Sequence, residues 1–142
     1  MKRVAAMLLL LAACAAPPRT VAVRIASESH SVVFKAEVAD TPDAQRRGLM
    51  GRQTLGPRAG MLFVWEVATA RTFWMKDTLV GLDVVSIRAG RVVAIATMVP
   101  CRAEPCPITR TPPADAALEV AAGQAAAAGI AIGSLVDAPG LL

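Results

Sequence analysis

The sequence contains a single histidine, His30, and that scarcity bears on two classes of chemistry at once. A zinc site built on Cys101 and Cys106 would need two further ligands, and the chain has one imidazole to offer. A Ser-His-Asp triad would have to recruit His30 from the head of a strand, with no Gly-x-Ser-x-Gly elbow anywhere in the chain. Aromatic residues are only 4% of the sequence, and no basic block interleaves with them, which argues against nucleic acid as a partner. There are no internal repeats and no closely spaced Met-x-Met pair. Methionines 50, 61, 75 and 98 sit in or beside apolar runs, where Met ordinarily fills core gaps rather than binding soft metal ions. No cofactor or metal is implied.

What is present at the N-terminus is a leader. Lys2 and Arg3 precede the wholly apolar run Val4 to Ala13, and small residues follow where a peptidase would cut. That run is about half of the roughly 20 residues that a membrane-crossing helix needs. Leu11-Ala12-Ala13-Cys14 resembles the lipobox of bacterial lipoproteins, in which the cysteine is acylated and becomes the mature N-terminus. Ordinary cleavage at a nearby Ala-x-Ala site is the alternative. Ala15 stands where such lipoproteins carry the aspartate that retains them at the inner membrane. The expected location is therefore the periplasmic side of the envelope, lipid-anchored, at the outer membrane. Residues 1–13 are thus read as signal peptide, 14–19 as lipidated terminus and linker, and 20–142 as one domain. Removing the leader also removes Lys2 and Arg3 from a formal net charge of +4, leaving a domain with no pronounced charge.

With Cys14 acylated, Cys101 and Cys106 remain as an even pair in an oxidising compartment, which reads as one structural disulfide. Redox and metal-binding roles are the alternatives, although C-x4-C lacks the two-residue gap of thioredoxin-like motifs.

Strand periodicity dominates the rest. From His30 to Ala39, Val32, Phe34, Ala36 and Val38 alternate with Val33, Lys35 and Glu37, the pattern of a half-buried strand. Thr41, Pro42 and Asp43 then supply an N-cap, a first helical residue without an N–H, and a charge that complements the dipole. They predict a short helix ending near Gly48. Met61 to Trp65 and Thr72 to Lys76 read as two separate strands. Leu82 to Ile87 and Arg91 to Met98 read as a hairpin across Arg88-Ala89-Gly90. Five prolines between Val99 and Pro113 predict a long stapled loop without ladders. Ala116 to Val120 is expected as a strand, Gln124 to Ala128 as a short helix closed by Gly129, and Ile130 to Val136 as a last strand. The expected fold is mainly β, a barrel or sandwich of six to eight strands with two short helices, and α+β is the alternative.

Several segments together carry a family likeness. Arg47-Gly48-Leu49-Met50, Gly60-Met61-Leu62-Phe63-Val64, Phe73-Trp74-Met75-Lys76-Asp77-Thr78 with Leu82-Asp83, and Leu118-Glu119-Val120 with Gly123, Gly129-Ile130 and Gly133 appear in order. In these the chain resembles the domain of unknown function 192 family, from about Val32 to Val136. Asp77 stands where that family usually has Asn, and Gly81 where it usually has Pro. The resemblance implies a compact, largely β domain, often exported, with no established activity.

The most site-like residues are Trp74, Lys76, Asp77, Thr78 and Asp83, with Arg47. A functional reading makes Lys76 an anion holder, Asp77 and Asp83 acids, bases or ligands, and Trp74 a stacking surface for a sugar or other flat ligand. The competing reading packs Trp74 in the core and gives Asp83 a turn to cap or an arginine such as Arg47 to pair with. Paired-carboxylate hydrolysis of an envelope glycan by Asp77, Asp83 or Glu119 is a further alternative. A non-catalytic binding or accessory module fits best, taking a small anionic or glycan ligand or an envelope protein. A structural interaction domain without a pocket is the third reading.

Overall fold

The computed structural model describes residues 17–142. The leader and Cys14 lie outside them. The order of elements is β1 (Thr20–Ala26), β2 (Ser31–Ala39), α1 (Pro42–Arg47), β3 (Ala59–Trp74), β4 (Leu82–Arg88), β5 (Arg91–Met98), β6 (Ile108–Ala121), α2 (Gln124–Ala127) and β7 (Leu135–Asp137). The seven strands close into a barrel in the order β1-β2-β3-β6-β4-β5-β7, as the mainly-β expectation requires.

Every neighbouring pair is antiparallel except β2 and β3. A parallel pair needs a crossover rather than a hairpin, and α1 with the loop after it supplies that crossover. Thr41 caps α1 by accepting the Ala44 N–H, Pro42 opens the helix, and Gly48 ends it at φ +48°. Gln45 fastens α1 to the sheet by donating its side-chain amide to the Val64 carbonyl (2.8 Å).

Alternation sorts the strands into two apolar layers. Phe34, Leu62, Val85, Ile87, Leu118 and Val136 face the barrel interior and meet residues from every other strand. Met61, Phe63, Phe73, Leu82, Val84 and Met98 form a second cluster on the outer face, where Leu49 covers them. β4 is buried on both faces, which explains its nearly unbroken apolar run. Met61, Met75 and Met98 all belong to the outer cluster as packed side chains.

The hairpin β4–β5 turns through Ala89 and Gly90, both at positive φ (+48° and +68°), the geometry that matches strand twist in a two-residue loop. Three sequence expectations are corrected. Thr72 to Lys76 is not a separate strand: β3 runs unbroken from Ala59 to Trp74, bent by register shifts after Val64 and after Ala70, and it stops before Lys76. The expected ladder-free loop from Val99 to Pro113 ends early, because β6 begins at Ile108 and contains both Pro112 and Pro113. From Ile108 to Ala114 this strand pairs with β3 only, and Pro112 is the extra residue between Thr111 and Pro113 opposite Arg71 and Ala70. The missing N–H groups therefore leave no second ladder incomplete. Ile130 to Ser134 forms no strand, with Gly133 at φ +90° in a turn, and only Leu135–Asp137 pairs as β7.

Cys101 and Cys106 are joined in a disulfide (Cα–Cα 5.4 Å) in the segment between β5 and β6.

Candidate functional site

Past the bulge at Val64 and Thr69, β3 and the first half of β6 leave the barrel as a two-stranded ribbon. Between that ribbon and α1 lies a cleft of about 570 Å³ over the outer apolar cluster. Its walls are aromatic. Phe63 stacks with Trp65 (centroids 6.0 Å apart), and Phe73 meets both edge-on at 5.8 and 6.3 Å. The ring of Trp74 lies at the mouth, half exposed.

Three arginines line the same space. Arg46 is already paired with Asp43 one helical turn away. Arg47 is the last residue of α1 and has no ion pair among the described residues. Arg71 lies over the Trp65 ring at 4.2 Å, donates from Nη2 to the Val67 carbonyl (2.6 Å), and keeps its Nε buried with no acceptor. Stacking on an aromatic face holds a guanidinium without neutralising it.

Glu119 lines the cleft from β6 and is 6% exposed. It shares the outer face with Ala117, opposite Met61 on β3 and Val84 on β4. Burial pushes its carboxyl up to about 7, because a carboxylate in apolar surroundings loses hydration that nothing replaces. Neither oxygen has a hydrogen bond to a described residue, and neither is among the enclosed polar atoms left without a partner, so the carboxyl opens to the cleft.

The sequence-derived candidates divide. Trp74, Thr78 and Arg47 line the cleft. Thr78 is buried and donates to the Lys76 carbonyl (3.2 Å). Lys76 is outside the lining, with its ammonium 5.6 Å from the centre of the Trp74 ring and 3.7 Å from Glu104. The three cations Arg46, Arg47 and Lys76 therefore do not converge. Asp77 is exposed at φ +53°, a left-handed position that Asn and Asp tolerate best, and its carbonyl accepts the Gly51 N–H (2.9 Å). Asp83 points the other way, into the barrel, where its two oxygens accept the Thr97 hydroxyl (2.7 Å) and the Ala125 N–H (3.0 Å). It caps α2, and it lies on the opposite face of the sheet from Glu119.

Arg71, Trp65 and Phe73 escaped the sequence reading of the site, and Glu119 entered it only as one carboxylate of a hydrolytic pair. Glu119 did carry a usable signal: it is the one charged residue in Ala116-Ala117-Leu118-Glu119-Val120-Ala121. Among the described residues, no cluster of three His, Cys, Asp or Glu side chains could hold a metal ion.

Two solved structures share this architecture. One, from Sinorhizobium meliloti 1021 and described as a candidate transcription regulator, is 29% identical with a TM-score of 0.81, the match covering 87% of this chain and 97% of that one. The other, a protein of unknown function from Novosphingobium aromaticivorans DSM 12444, is 33% identical with a TM-score of 0.77, covering 92% and 99%. No curated protein matches the chain. The family model DUF192, described as an uncharacterized ACR, matches residues 23–138, and the chain belongs to that family.

Proposed function

We propose that this chain is a lipid-anchored module of the bacterial envelope, held on the periplasmic face of the outer membrane through Cys14, whose domain captures a small ligand without transforming it. The observation that carries the capture reading is Glu119: a carboxyl 6% exposed, without a partner, at an aromatic cleft. With no protein partner, that carboxyl is free to exchange water for a ligand's hydrogen bond, which contributes about 0.5–1.5 kcal/mol net. Hydrolysis by paired carboxylates has less support, since Glu119 is the one carboxylate among the described cleft lining, and Asp83 faces the other side of the sheet.

The anchoring half of the proposal rests on the leader, Leu11-Ala12-Ala13-Cys14 and Ala15. Metabolic labelling with palmitate tests it: Cys14→Ser should abolish label and release the protein from membranes, and an unlabelled wild-type chain would refute it. For capture, the barrel closes within residues 20–137, so a chain lacking residues 1–14 retains every strand. Its melting temperature is measured against muropeptides, sugars, nucleotides and small anions. A ligand present at a hundredfold excess over its dissociation constant adds about 2.7 kcal/mol of stability. A shift lost in Glu119→Ala but kept in Asp83→Asn supports the cleft, whereas the reverse pattern would defeat it. Trp74 and its cross-strand partner Ile108 are each more than half exposed, and that apolar surface favours protein docking as the second reading.

A further inference from the structure

We propose that the cleft is selective for a carboxylate carried beside a flat apolar face, the carboxylate being taken by Arg47 and Arg71 with Glu119 donating a hydrogen bond to it. The inference rests on the capture reading above and adds the chemical class of the ligand and its coupling to protons.

Three features of the cleft converge on it. First, its charge balance is cationic. Arg46, Arg47 and Arg71 line it with Glu119 as the single acidic group, and only Arg46 has a carboxylate partner. Secondly, an unpaired guanidinium is present. Arg47 has no ion pair among the described residues, and a guanidinium fork matches the two oxygens of a planar carboxylate. Thirdly, the half-exposed ring of Trp74 lines the cleft beside the partly buried Trp65, an apolar surface of the kind a ring or sugar face covers.

Glu119 decides how such an anion could be admitted. Two ionised carboxylates cannot share a desolvated site without one proton between them. The ionisable groups that line the cleft with Glu119 are Arg46 and Arg47 from α1 and Arg71 from β3, beside the neutral Thr78 from the turn after it. The adjoining strand β4 brings only Leu82 to the cleft, and on β2 the nearest carboxylate in the same row, Glu37, is paired with Arg52 (2.5 Å). In its acid form Glu119 is a donor, and the incoming carboxylate accepts from it while the arginines compensate the charge. Where Glu119 is ionised beforehand, binding must take up one proton from solvent, so affinity falls with rising pH.

Matched probes test this: N-acetylmuramic acid against N-acetylglucosamine, and indole-3-acetate against indole-3-acetamide, titrated into the chain lacking residues 1–14 and followed by NMR at about pH 6 and about pH 8. The acid of at least one pair should bind more tightly than its neutral partner, and about tenfold more weakly at the higher pH, as a donor titrating near 7 requires. In Glu119→Gln, whose amide still donates, the acid should bind with no pH dependence, and Glu119→Met should lose it. Neutral probes binding as well as acids, or an acid bound equally at both pH values by the wild type, would overturn this inference and leave capture standing. If no probe moves cleft resonances at millimolar concentration, the carboxylate class is wrong. Capture is then judged by the wider screen alone.

Discussion

Asp83 on β4 accepts the amide hydrogen of Ala125 at the start of α2 (3.0 Å), joining the barrel wall to the segment that closes one end of the core. Its other oxygen takes the hydroxyl of Thr97 (2.7 Å), and the side chain is 2% exposed. An amide can still accept the Ala125 N–H while its NH2 donates to Thr97, whose hydroxyl turns to accept, so both contacts persist with a weaker acceptor. Asp83→Asn should therefore cost about 1 kcal/mol in urea denaturation, the difference between hydrogen bonds to charged and to neutral groups. Ligand capture per folded molecule should be unchanged, and a selective loss of capture would return Asp83 to the site.

Gly60 is a contact requirement between strands. A Cβ at this position would stand 2.4 Å from the Glu119 carbonyl, a backbone atom that cannot swing aside. Gly60→Ala must push β3 away from β6 at the root of the cleft, and overpacking of this kind costs about 1–3 kcal/mol. The expected result is a lower urea midpoint together with altered chemical shifts for Glu119 and Met61. A midpoint within error of wild type would show that the strands yield freely.

The disulfide is a local staple. Its loop is short, so the chain-entropy model gives it about 2 kcal/mol. The double substitution of Cys101 and Cys106 by Ser should lower stability by roughly that amount without unfolding the barrel, since none of the seven strands contains either cysteine. Far-UV circular dichroism that collapses on reduction would contradict this.

The fold was legible where short-range physics decides it. Thr41, Pro42 and Gly48 bracket α1, and Ala89-Gly90 sets the hairpin, because a cap and a two-residue turn are local events. Pro112 and Pro113 misled, since proline forbids a ladder only on the side where its N–H is needed, and no sequence pattern says that this half of β6 is paired on one side. The cleft was read in part. Arg47, Trp74 and Thr78 belong to segments that stand out by motif, whereas Arg71 and Glu119 reach the same space only because β3 bends after Val64 and carries its ribbon towards α1. Asp83 and Glu119 are both acidic residues in apolar strands. What separates them is the parity of a register, Val84 rather than Asp83 standing opposite Glu119, and that is fixed by the β4–β6 pairing.

Glu119 should also write itself into the pH dependence of stability with no ligand present. Its folded value is raised to about 7 from an ordinary 4.5, so the native state holds this proton more tightly than the unfolded chain does. The associated stability is fully present below about pH 4.5 and is lost as the pH climbs through about 7, where ionisation leaves a charge in an apolar site. At about 1.4 kcal/mol per unit, the loss is on the order of 3 kcal/mol. Glu119→Gln keeps the shape of the protonated acid and cannot ionise. It should match the wild type near pH 4.5, then exceed it progressively in urea midpoint up to pH 7, with a constant difference beyond. Parallel profiles for the two proteins across that range would mean that Glu119 is ionised and solvated in the folded state, and the proton-coupled part of the cleft's chemistry would fall with it.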